Sequence, residues 1–127
     1  MKEYWTSEVE DALAEYVRCG DSVRKNELFD EYLHTAFKKL IDDVLERYKP
    51  YVGEVNDEIK LDILSHLVTR IERYNPEVKL KSGNPSGWLY SGILIRSWIA
   101  DYRMRTSREK NNVRFEECHE IFLDKIN

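Results

Sequence analysis

The sequence predicts an all-α protein, and three observations predict it. Apolar residues recur at three- and four-residue spacing through most of the chain, the signature of helices with one buried side. Nowhere does an apolar-polar alternation of strand length occur. The five glycines and three prolines are few, and most of them stand between the periodic runs, where they act as stops. At 127 residues the chain is the size of one domain with one core, so a single compact unit of about four main helices is expected over residues 1–110, followed by a short amphipathic tail over 111–127.

The first helix opens on the capping signal TSEVE, at Thr6 or Ser7, and runs to Cys19 with Val9, Ala12, Leu13, Tyr16 and Val17 inward; Gly20 then stops it. Asp21 or Ser22 caps a longer second helix to about Tyr48. Two adjacent apolar lines run along it, Leu28, Tyr32, Ala36, Leu40, Val44 and Phe29, Leu33, Phe37, Ile41, Leu45. So wide a face belongs to a helix wedged between partners. Lys49-Pro50 ends it, and a turn leads to a third helix from Asn56 to Tyr74, with Leu61, Leu64, Leu67, Val68 and Ile71 buried. Opposite them lies a polar stripe of Asp62, Ser65, His66, Thr69 and Arg73, in which Asp62 and His66 stand one turn apart, close enough to pair.

Asn75-Pro76 breaks the third helix, and a basic connector carrying Lys79 and Lys81 leads to a fourth, capped by Asn84 with Pro85 at its first position. Angular placement puts Trp88, Ile95, Ile99 and Tyr102 on its core side with Leu94 and Trp98 beside them. Tyr90, Ser97 and Asp101 fall opposite, while Arg96 and Arg103 share a flank and Arg105, Arg108 and Lys110 follow. An exposed ring among arginines suits an unstacked base and its phosphates. A core helix with a solvated basic end would leave the same pattern.

Net charge is −4, which argues against indiscriminate coating of nucleic acid. Its distribution is uneven: residues 1–75 carry −6, residues 76–114 carry +5 and residues 115–127 carry −3. The basic block is therefore a local patch around the fourth helix. Cys19 and Cys118 match no metal or redox spacing, the three histidines are scattered, and no metal or other cofactor is expected. No apolar run reaches membrane-spanning length, no leader is evident, and a reducing cytoplasm is the expected location. Neither a nucleophile-base pair nor a phosphate-cradling glycine loop is present, so a binding function is expected rather than an enzymatic one.

Taken as a set, the helices resemble the central domain (region 2) of bacterial RNA polymerase sigma factors. The second, ELFDEYLHTAFKKLIDDVLERY, is similar to the domain's opening helix. The third, DEIKLDILSHLVTRIERYNPE, resembles its next segment, and WLYSGILIRSWIADYRMRTSR resembles its promoter-reading helix. The ordered set covers residues 27–110, and the short chain is most similar to the compact late-gene sigma factors of large tailed phages. The resemblance implies a transcription initiation factor that binds core RNA polymerase and melts an A/T-rich minus-ten-type promoter element.

It further implies that Asp62, Ser65, His66, Thr69 and Arg73 dock on the clamp helices of the largest subunit. Lys79, Lys81, Arg96, Ser97, Arg103, Arg105 and Arg108 then lie along promoter DNA, including its single non-template strand, with Tyr90 as the melting ring. Trp88 is either core or a second ring at the DNA face. The tail, through Ile121, Phe122 and Leu123, resembles a segment that binds the polymerase flap, and a co-activator such as a sliding clamp is a further partner class. Two departures stand out: Leu61 occupies a position usually held by Gln, and Ile93 and Leu94 stand where primary-type factors have adjacent aromatics. An alternative function keeps the fold without the DNA, a sigma mimic that occupies the polymerase or an anti-sigma factor.

Overall fold

Thr6 starts the first helix. Extended in backbone, it accepts the amide of Val9 on its hydroxyl and opens α1, Ser7–Arg18. The computed structural model describes the backbone of residues 3–78, 80 and 85–126, and side chains over 3–50, 52–78, 80 and 85–106. Glu10, which a capping box starting at Ser7 would use locally, instead points across the molecule. Helix α1 ends on an extended Cys19, and Gly20 has no left-handed conformation, so the stop needs no glycine.

Asp21 accepts the amide of Val23 and caps α2, Ser22–Leu28. The helix then passes through a π turn, Phe29–Leu33, into α3, His34–Arg47. That turn holds one extra residue, and the two apolar lines read from the sequence change register there. Leu28 and Leu33, five apart, are both fully buried, while Phe29 and Tyr32 are only partly so. Beyond it Ala36, Phe37, Leu40, Ile41, Val44 and Leu45 continue the wide face as expected. Pro50 does not lead straight into a loop: it sits in the first turn of a one-turn helix, α4, Lys49–Val52, which buries Val52 and ends at Gly53 with φ +78°, where glycine alone is unstrained.

Asn56 accepts the amide of Ile59 and caps α5, Asp57–Arg70, which tightens into a 3₁₀ turn, Ile71–Arg73. Ile63, Leu67 and Ile71 are its fully buried residues, with Leu64 and Val68 packed beside them. Leu61, expected inside, is 65% exposed. It lies about 200° around the helix from Ile63, which is fully buried. Asn75 then accepts the amide of Glu77 in the turn after Tyr74. The last element, α6, Ser86–Ile126, runs on as one helix past the change of charge sign near residue 110.

Helix α6 packs against α1, α3, α4 and α5, with Ser91, Ile95, Trp98 and Ile99 buried. The protein is all-α: four long helical elements around one core, with no strand among the described residues. No helix among them is long and apolar enough to cross a membrane. Trp5, which lies before the first helix and outside any periodic run, is fully buried and stacks on Phe37 at 6.0 Å between ring centroids.

Candidate functional site

The start of α6 is held by a carboxylate from α1. Glu10 Oε1 accepts from Trp5 Nε1 at 2.9 Å and from the amide of Trp88 at 3.1 Å; Oε2 accepts from the Tyr74 hydroxyl at 3.2 Å and from the amide of Gly87 at 3.3 Å. Tyr74 is also paired with Ser86 Oγ at 2.6 Å. Two first-turn amides that have no partner within the helix are thus satisfied by a negative charge at the positive end of the helix dipole. The backbone must come close for this. A Cβ on Gly87 would lie 2.5 Å from Glu10 Oε1 and 2.7 Å from Leu13 Cδ2. Because Glu10 occupies this helix end, an external anion could meet α6 only through side chains further along.

Those side chains divide into two groups. Arg96 and Arg103 are exposed on one flank, as expected, with Ser97 exposed nearby and Ile93 and Met104 54% and 55% exposed between the flanks. Arg105, also exposed, turns to the other side, toward α5. Arg108, Lys79 and Lys81 lie outside the residues whose side chains are described, as do Ile121, Phe122 and Leu123 of the tail.

Tyr90 departs from the sequence reading. It is half-buried and packs against the core with its ring 5.5 Å from that of Tyr74. The buried arc of α6 is centred on Ser91 and Ile95, and this rotates Tyr90 toward the 3₁₀ turn, roughly 120° around the helix from Arg96. It is therefore not a ring set among arginines. Trp88 takes the core side of its two readings: it is half-buried against the apolar cluster, its indole Nε1 enclosed in the protein. Asp101, expected opposite the core, is exposed but lines the groove toward α5.

The polar stripe of α5 keeps its place. Asp62, Ser65, Thr69 and Arg73 are exposed and His66 is half-buried. Asp62, Ser65 and His66 form one wall of a groove of about 550 Å3 whose other wall is α6, through Trp98, Asp101, Met104 and Arg105. His66 pairs with Arg70, not with Asp62: Arg70 Nε donates to His66 Nδ1 at 3.1 Å. Burial pushes the His66 pKa below the ordinary imidazole value and the Arg70 charge pushes it further, against smaller opposing effects of Asp101 and the Leu94 carbonyl. The ring is accordingly held neutral, with Nδ1 as acceptor.

Elsewhere the surface is closed by ion pairs. Arg24 bridges Glu15 at 2.7 Å and Glu27 at 3.3 Å, Lys60 reaches Asp42 at 3.0 Å, and Arg18 and Lys25 pair with Glu77 and Glu72. Among the described residues no group of three or more His, Cys, Asp or Glu is placed to hold a metal ion.

Compared with protein-family models, with curated proteins and with solved structures, the chain matches none. Its function has to be argued from the residues and their geometry.

Sequence reasoning missed Glu10 and Trp5. The capping signal around Glu10 gives it a local role, and a lone Trp ahead of a helix has no periodicity to mark it.

Proposed function

We propose that the chain is a sigma-type transcription initiation factor, which uses the polar side of α5 to dock on core RNA polymerase and the arginine flank of α6 to hold promoter DNA. The observation that carries this reading is the order of the three sigma-like motifs together with their packing. They fall on α2–α3, α5 and α6, which share one core, and both the stripe of α5 and the Arg96–Arg103 flank remain open to solvent.

In this reading Asp62, Ser65, Thr69 and Arg73 meet the clamp helices of the largest subunit, and Arg96 and Arg103 neutralise backbone phosphates. Tyr90 supports the start of α6 through Tyr74; it is not the residue that stacks on a base. Opening the duplex is left to the assembled polymerase, since an overall charge of −4 gives the free protein little attraction for duplex DNA. The A/T-rich minus-ten element, the flap contact of the tail and a sliding-clamp co-activator are the further partners this reading carries.

Run-off transcription from a supercoiled A/T-rich template with core polymerase tests it. Start-specific transcripts that need the protein and fall at least tenfold with Arg96→Gln and Arg103→Gln together are the expected result. A protein that binds polymerase equally well with and without these arginines, yet yields no specific transcript even with a co-activator, is the sigma mimic instead.

A further inference from the structure

Between α3 and α6 lies a small cleft whose floor is Leu40, Val44, Trp88 and Gly92. Two guanidinium groups from different helices, Arg47 at the end of α3 and Arg96 in α6, line its rim. Both arginines are exposed, and neither has an ion-pair partner among the described residues. This contrasts with Arg18, Arg24, Lys25 and Lys60, which are all paired. Asp43 also lines the cleft and accepts from the Tyr4 hydroxyl at 3.3 Å; its carboxylate keeps its negative charge, and the two guanidinium groups outnumber it.

Size limits the occupant. The cleft is small, about 60 Å3, and suits a compact anionic group at its rim better than an enclosed nucleobase. Gly92 keeps it open: a Cβ there would meet nothing within 4 Å. Packing does not demand a glycine at this position, although glycine weakens a helix interior.

We infer that Arg47 and Arg96 together seat one backbone phosphate of a single DNA strand across the α3–α6 cleft. The inference rests on the DNA-binding reading above and extends the contact surface from α6 onto α3, to a residue that no sequence pattern singles out. Planar guanidinium groups approaching one phosphate from two helices supply the forked, charge-assisted hydrogen bonds that anion prefers. Recognition is of backbone, without regard to base.

The test is fluorescence anisotropy of a labelled 12-nucleotide single strand at low salt, with the full chain. Arg47→Gln and Arg96→Gln should each weaken binding about five- to tenfold and lower the salt slope by about 0.7, the value for one phosphate on a single strand. Together they should lose little more than either alone, because both serve the same phosphate. Gly92→Leu, which fills the cleft and leaves both charges in place, should weaken binding to a similar degree, and an abasic strand should reproduce every one of these losses.

Unchanged binding by Arg47→Gln while Arg96→Gln and Arg103→Gln weaken it overturns the phosphate seat and leaves the DNA reading standing. No binding by the wild type even at low salt overturns the phosphate seat, while start-specific transcription that still depends on Arg96 and Arg103 leaves the DNA reading standing. Competition by polyglutamate as strong as that of an unlabelled strand makes the cleft a general anion or acidic-protein contact and refutes the assignment to phosphate. Circular dichroism matching the wild type confirms that each variant compared is folded.

Discussion

Glu10 links the first helix to the last, and removing its carboxylate should unfasten them. It accepts four hydrogen bonds, from Trp5, Tyr74 and the amides of Gly87 and Trp88. Glu10→Ala leaves two part-buried amides and an indole without an acceptor; Tyr74 retains Ser86. Each stranded buried donor costs about 1–3 kcal/mol, and loss of a charge at a helix N-terminus about 0.3–1 kcal/mol. Partial access of water to the site places the total near the low end of the combined range, about 3–4 kcal/mol, a large share of the 5–15 kcal/mol typical of a domain. Glu10→Gln keeps one acceptor oxygen and turns an NH₂ toward the other donors, so about 1–2 kcal/mol is expected.

Urea unfolding followed by tryptophan fluorescence measures both, since Trp5 and Trp88 report on the site itself. Hydrogen exchange adds a local readout: the amides of Gly87 and Trp88 should exchange faster in Glu10→Gln, with α5 unaffected. Two variants within 0.5 kcal/mol of wild type at unchanged m-value would refute the account, as would exchange that rises uniformly along the chain.

Two further predictions follow from the same geometry. Alanine at the two glycines of α6 should act in opposite directions: Gly87→Ala drives a Cβ into Glu10 and Leu13 and should cost about 1–3 kcal/mol, whereas Gly92→Ala meets nothing and should gain up to about 1 kcal/mol; thermal unfolding of the pair decides, and equal shifts would contradict the packing. His66 has its folded pKa depressed, so its neutral form is the one the fold favours. Its contribution is complete above the unfolded value of about 6.5 and is lost as pH falls from there toward the folded pKa. The urea midpoint of the wild type should therefore drop more steeply between pH 7.5 and 5.5 than that of His66→Gln, and parallel curves would show that His66 is not titrating against the fold.

The elements themselves were legible in the chain because caps and periodicity are local. Thr6, Asp21 and Asn56 each accept the amide that a helix start requires, and the apolar face of α3 follows from spacing alone. Spacing failed where the backbone departed from the α repeat or where the choice of buried side was shared between neighbours. The π turn at Phe29–Leu33 changes the register of α2 relative to α3, and no residue pattern announces an extra residue in a turn. On α5 the apolar residues Leu61, Ile63, Leu64, Leu67 and Val68 span an arc of about 160°, so spacing alone does not fix where the buried side is centred; packing buries Ile63 at one end of the arc and leaves Leu61 at the other 65% exposed.

The same limit applies to the site. Sequence by itself determined the all-helical class, the polar stripe of α5 and the exposed arginines of α6, because each depends on residues within a few turns of one another. Only the tertiary structure decided that Tyr90 turns to Tyr74, that His66 pairs with Arg70 against a wall supplied by α6, and that Arg47 shares a cleft with Arg96. It also decided the role of Glu10, whose partners lie 64 to 78 residues away apart from Trp5. Carboxylates and arginines carry no periodic mark of what they will face, and the partner of each was fixed by how three helices pack.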